Sequence, residues 1–201
     1  MELSLTVAII AATVVVSWVG FNNDKLLQRL LLWPPAVARG RQYDRFVTYG
    51  LVHGDFMHLL FNMFTLYFFG RLMEQFYAQY LGSWGFLGFY VSALVVSALP
   101  SYLRHRHDPD YATLGASGAV SAVLFGFILL QPWATIYVYV VPVPAIIFAV
   151  LYTGYSVYMN HRKADRVNHS AHLAGAAYGV LFTVLMEPRV LEHFLASLLD
   201  P

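Results

Sequence analysis

The chain has 201 residues, of which 59% are apolar, 11% are charged and none is cysteine, and its formal net charge is +1. A soluble domain carries about 25% charged residues, so this composition points to a chain solvated by lipid. It excludes disulfide scaffolds, thiolate metal sites and cysteine nucleophiles, and so small a net charge offers no basic face for nucleic acid.

In chain order, the first apolar run, Leu3 to Phe21, holds no charge and is followed by no small-residue cleavage site, which makes it a retained span and not a signal peptide. Residues 22–55 form a long mixed connection in which Leu26, Leu27, Leu30, Leu31 and Leu32 recur at helical spacing, as in a short amphipathic piece lying in the interface. Further spans are expected at 56–73, 84–103, 112–130, 142–160 and 170–186, with Pro100 interrupting the third near its end. The third and fourth are joined by a compact charged loop, Arg104 to Tyr111. The fifth is started near Pro142 because a helix tolerates proline in its first turn, which leaves 133–141 as an interfacial connection. A polar loop, 161–169, precedes the sixth, and the tail is short. With no repeat, linker or low-complexity tract, residues 1–201 read as one domain: an all-α membrane protein, a six-helix bundle with a long interfacial first loop.

Polar residues inside spans are costly and usually face the bundle interior. The even-numbered spans all enter from one face, and each has its conspicuous polar residues near that end: His58 and Asn62, Ser117, and His172. At about 1.5 Å per residue, five residues into a span is roughly 8 Å deep, so the four side chains can meet at one shallow level. Ser117 lies in Gly115-Ala116-Ser117-Gly118 at a helix start, where unpaired backbone N–H groups can stabilise an oxyanion; such a serine also simply permits close helix packing. Gly175 and Gly179 follow His172 as G-x-x-x-G and let the sixth helix approach the small face of the fourth, Gly118, Ser121 and Ala122. That approach would bring the imidazole to the serine hydroxyl. His58 and Asn62, four apart, share a helix face and are hydrogen-bond donors suited to developing negative charge, or to interhelical bonding. No Asp or Glu lies within a span, which leaves a serine-histidine dyad rather than a triad.

These residues resemble the rhomboid family of intramembrane serine proteases, in its six-span bacterial form, over essentially the whole chain: H-x-x-x-N at His58 and Asn62, G-x-S-G at Gly115, Ser117 and Gly118, and A-H-x-x-G-x-x-x-G at Ala171, His172, Gly175 and Gly179. The resemblance implies that Ser117 is the nucleophile and His172 the general base and then acid. The Ser117 backbone N–H with His58 and Asn62 would form the oxyanion hole. His53 matches a histidine just above span two, and Arg45 and Glu74 match positions that structure the first loop and the end of span two. Two positions depart from the family's pattern: Asp44 replaces a tryptophan before the arginine of the first loop, and Ser121 replaces an aromatic residue that packs on the catalytic histidine. No metal or cofactor is implied. The implied partners are single-pass or multi-pass membrane-protein substrates in the lipid bilayer, entering beside the fifth span, with a mobile cap near 161–169 over the site.

Ten of the twelve Lys and Arg residues lie in the loops on the dyad's side, which by the positive-inside rule would be cytoplasmic; the resemblance implies a bacterial inner membrane with that side facing out. The sequence opposes three alternatives to a serine protease. A catalytically silent rhomboid-like protein that binds membrane clients is opposed by the presence of both Ser117 and His172. A small transporter is opposed by the lack of intramembrane carboxylates and of inverted-repeat symmetry. A metalloprotease lacks its H-E-x-x-H. His105, His107, Asp108 and Asp110 read as a solvated charged loop rather than a metal site.

Overall fold

The computed structural model describes residues 4–138, 140–162 and 167–199. Leu3, Tyr139 and the 163–166 part of the expected capping loop lie outside the described residues. The fold is helical, with one small hairpin: α1 (Leu5–Gly20), α2 (Asp24–Leu30), α3 (Pro34–Gly40), α4 (Arg45–Thr48), α5 (Phe56–Thr65), α6 (Arg71–Leu81), α7 (Gly85–His105), α8 (Ser117–Leu130), β1 (Thr135–Val138), β2 (Val141–Pro144), α9 (Ala145–Arg162), α10 (His169–Met186) and α11 (Arg189–Leu199). A single π-helical turn, Leu66–Gly70, joins α5 to α6 into one continuous helix.

The burial pattern is that of a protein in lipid. Helix α1 buries Thr6, Thr13, Ser17 and Gly20 and exposes Val14, Val15, Trp18 and Val19, the reverse of a helix on a water-soluble core. Small and hydroxylated residues let backbones approach when lipid tails solvate large apolar side chains as well as a core does. Leu103, Val150, Leu151, Leu181 and Leu185 continue the exposed apolar surface. Helices α7 and α10 are long and apolar enough to cross a membrane, while α1 and α8 are apolar but shorter.

Several expected boundaries shift. The helix over the expected second span runs on through the expected polar connection to Leu81, and its Glu74 accepts hydrogen bonds from the Leu5 and Thr6 N–H groups (2.6 and 3.0 Å) and the Ser4 hydroxyl (2.6 Å), capping α1. Helix α7 continues past Pro100 to His105. Helix α8 begins at Ser117, not at Ala112, because residues 113–116 spend their backbone groups on partners outside the helix. The expected 133–141 connection takes the form of a hairpin that includes Pro142, which therefore does not start a helix, with Tyr137 opposite Pro142 and Thr135 opposite Pro144. Its two prolines share parity, so both missing N–H groups fall on the outward side of an edge strand. Helix α9 starts at Ala145, and its first N–H groups donate to the carbonyls of Ala134 (2.9 Å) and Pro132 (2.8 Å). The tail is itself helical, α11, tied back by the Trp133 indole donating to the Ser197 carbonyl at 2.6 Å.

Candidate active site

The long first connection builds the floor for the segment that leads into Ser117. Arg45 is buried and donates to the carbonyls of Gln28 (2.9 Å) and Leu31 (2.6 Å) and to Gln42 Oε1 (2.6 Å), which fixes the chain as it leaves α2. Leu32 then exchanges backbone hydrogen bonds with Thr113 at 2.9 and 3.0 Å. The Gly115 N–H donates to the Tyr49 carbonyl at 2.9 Å, and the Ala116 N–H to His53 Nε2 at 3.4 Å. Three successive anchors thus hold residues 113–116 outside the helix and release it only at Ser117. Gly115 has φ +107°, and a Cβ there would lie 2.5 Å from His58 Cε1, so this position demands glycine twice over.

His53 is a positioning element in this floor. Its Nε2 accepts from Ala116, so its proton sits on Nδ1 and is donated to Ser17 Oγ at 2.9 Å, and the Ser17 hydroxyl donates on to the Leu51 carbonyl at 2.8 Å. Burial, with the neighbouring His58 second, pushes the His53 imidazole down to about 3, which keeps this relay neutral.

The second wall is α10. Asn168 caps it, accepting from the Ala171 N–H at 3.1 Å, while its amide donates to Ser101 Oγ at 2.8 Å and Thr113 Oγ1 at 3.3 Å. One side chain therefore ties the start of α10 to α7 and to the segment that leads into Ser117. Along α10, a Cβ on Gly175 would overlap the carbonyl of Gly118, and one on Gly179 the carbonyl of Ala122. At that spacing His172 Nε2 and Ser117 Oγ are 2.7 Å apart, within direct hydrogen-bond reach.

The structure brings Ser117, His172, His58 and His53 around the start of α8. The His58 ring lies against Gly115 and meets His53 edge-on at 4.9 Å. Asp55 caps α5 by accepting the His58 N–H at 2.8 Å. Asn62, one turn along, is buried and donates from Nδ2 to the His58 carbonyl at 2.8 Å.

The two positions that depart from the family's pattern acquire partners. Asp44 pairs with Arg29 at 2.7 Å on the exposed side of the first connection. Ser121 bonds the Tyr152 hydroxyl at 2.7 Å, and the Tyr152 ring stacks on His172 with centroids 6.0 Å apart and planes at 18°. Tyr152, Asn168 and Ser17 escaped the sequence reading. Asn168 had a local signal, a helix-capping residue type just before an apolar run; the other two act across helices and leave none. In the charged loop, His105 Nδ1 pairs with Asp108 at 3.1 Å and its ring stacks on Tyr111. A cleft of about 370 Å³ involving Trp33, Arg39 and His107 lies apart from the pair and includes neither Ser117 nor His172.

The family profile described as the Rhomboid domain matches residues 40–189. The chain is 30% identical over 195 residues to RHOMBOID-like protein 12, mitochondrial, of Arabidopsis thaliana, a match covering 90% of this chain and 57% of that protein. It is 26% identical over 164 residues to the rhomboid protease GlpG of Haemophilus influenzae, covering 81% and 79% of the two chains. Rhomboid protein 1, mitochondrial, of Saccharomyces cerevisiae is 32% identical over 139 residues, 65% of this chain and 38% of that one. The chain belongs to the rhomboid family and is an integral membrane protein.

Proposed function

We propose that the chain is an intramembrane serine endopeptidase that hydrolyses peptide bonds in or next to transmembrane segments of membrane-protein substrates. The observation that carries this reading is the 2.7 Å approach of His172 Nε2 to Ser117 Oγ at the first residue of α8. Residues 1–201 act as one domain whose six spans are α1, α5 with α6, α7, α8, α9 and α10.

In the proposed reaction Ser117 Oγ attacks the scissile carbonyl while His172 takes its proton, and His172 then protonates the leaving amine. The resulting acyl-serine is hydrolysed by water activated by the same imidazole. At the first position of a helix the Ser117 N–H has no intrahelical acceptor; with the His58 ring and the Asn62 amide it supplies donors to the oxyanion, worth several kcal/mol per well-placed bond. Gly115 and Gly118 permit the contacts that flank Ser117, and Gly175 and Gly179 permit those of His172.

The short α8 also sets the depth of the chemistry. Fourteen residues make a helix of about 21 Å, against a hydrocarbon core of about 30 Å, so with its far end at one surface Ser117 lies roughly 9 Å below the other. Non-helical backbone survives at such depth only when bonded to protein, as residues 113–116 are to Leu32, Tyr49 and His53. We place the chain in a bacterial inner membrane with this end facing out. Two of the ten basic residues on that side are engaged within the fold, Arg45 buried in structural hydrogen bonds and Arg29 paired with Asp44.

The test is cleavage of a single-span substrate, with alanine or serine near its outer boundary, by purified protein in liposomes, beside Ser117→Ala and His172→Ala. Cleavage lost in both folded variants is the expected result; cleavage that survives Ser117→Ala refutes the dyad. The chain lacks cysteine, so His107→Cys and Ser83→Cys, labelled by an impermeant maleimide in whole cells, report orientation. Labelling at 107 alone is expected, and labelling at 83 alone reverses the assignment.

A further inference from the structure

We propose that Tyr152 is a positioning residue for the His172 imidazole, so that the ring orientation of the dyad is held by the stacked face of a tyrosine on α9; this rests on the Ser117–His172 reading above. The bond to Ser117 fixes one atom of the imidazole, whereas the torsion that sets the ring plane is intrinsically broad in histidine. Two aromatic contacts bear on the ring plane. Tyr152 stacks on one face at 6.0 Å and 18°, and His169 meets the ring edge-on at 6.0 Å and 74°, itself abutted by Tyr155. Such geometries are the favoured ones for aromatic pairs.

Tyr152 is in turn fixed at both ends. Its hydroxyl bonds Ser121 Oγ at 2.7 Å, one helical turn beyond Ser117 on α8, and its ring packs on Phe148 (5.5 Å, 28°) and Phe125 (5.7 Å). Nucleophile, tyrosine and histidine thus come from three helices and share one short chain of contacts: Ser117 to His172, His172 to Tyr152, Tyr152 to Ser121. Helix α9 is otherwise lightly held. It buries only Ala145, Ala149 and Ser156 among its described residues, and Gly154 has open space around it. A displacement of α9 that leaves α8 and α10 in contact therefore removes the face support of His172 without separating the helices that carry the pair.

The experiment measures kcat and KM for the single-span substrate in liposomes, with thermal midpoints, for the parent, Tyr152→Phe, Tyr152→Leu, Tyr152→Met and Ser121→Ala. Tyr152→Leu is expected to lower kcat by 10- to 100-fold with KM within twofold. Tyr152→Phe, which keeps the ring face, is expected to restore kcat to within about threefold of the parent, and Ser121→Ala to match Tyr152→Phe. Should Tyr152→Leu not fold, Tyr152→Met, flexible and similarly bulky, takes its place with the same expectation. A folded Leu or Met variant with parental kcat overturns the proposal, as does a Phe variant as slow as the Leu variant. A parent that does not cleave, or cleavage that persists in Ser117→Ala, instead overturns the reading on which the proposal rests.

Discussion

The most exacting consequence of the fold concerns Gly175→Ala. The added Cβ would overlap the Gly118 carbonyl oxygen, and carbon–oxygen contacts of this kind settle at about 3.3 Å or more. Both contacting groups are backbone, so no rotamer change relieves the overlap, and α10 must withdraw from α8 by about 1 Å or more. His172 lies less than one turn earlier on the same helix and moves with it. Its 2.7 Å contact with Ser117 then passes the ~3.5 Å beyond which direct proton transfer is lost. A misplacement of about 1 Å at reacting groups costs on the order of 100-fold in rate, and overpacking costs about 1–3 kcal/mol in stability. The assay is the initial cleavage rate in liposomes per folded molecule, with Gly88→Ala as control because nothing stands within 4 Å of a Cβ there. The expected result is a loss of about 100-fold or more for Gly175→Ala and none for the control. A Gly175→Ala rate within threefold of the parent would refute the claim that backbone contact between α8 and α10 sets the dyad distance.

Two further predictions follow from the supporting structure. Glu74→Ala strips acceptors from the Leu5 and Thr6 N–H groups and the Ser4 hydroxyl, and is expected to destabilise the protein by about 2–3 kcal/mol in equilibrium unfolding in detergent, with Glu74→Gln intermediate; an unchanged midpoint in Glu74→Ala contradicts the capping role. His53, lowered from its ordinary value of 6.5 to about 3, makes stability fall with acid. The unfolded chain takes up a proton between pH 6.5 and 3 that the folded chain refuses, so its contribution is complete above 6.5 and is lost progressively below it. From pH 7.5 to 5.5 this amounts to about 1.4 kcal/mol, a decline that His53→Gln is expected to flatten; an equally steep decline in that variant contradicts the neutral relay.

What could be read along the chain was whatever a single helix encodes by itself. The apolar runs marked the long helices, and the four-residue spacings of His58 with Asn62 and of Gly175 with Gly179 marked shared helix faces. What could not be read depends on pairing between distant segments. The start of α8 at Ser117 is decided by Leu32, Tyr49 and His53 holding residues 113–116, and nothing within residues 112–130 announces them. The hairpin at 135–144 was hidden because Pro142 and Pro144 fit a helix start as well as an edge strand. Ser121 read as a missing aromatic group because its partner Tyr152 comes from a helix 31 residues later in the chain.

The central claim, an activated serine at the start of α8, is tested most directly by covalent labelling with a fluorophosphonate probe, which requires no knowledge of the substrate. Peptide mapping of the labelled protein in detergent is predicted to find the adduct on Ser117 in the parent and none in folded His172→Ala. An adduct on another residue such as Ser121, labelling that persists in Ser117→Ala, or no labelling of folded parent protein would contradict it.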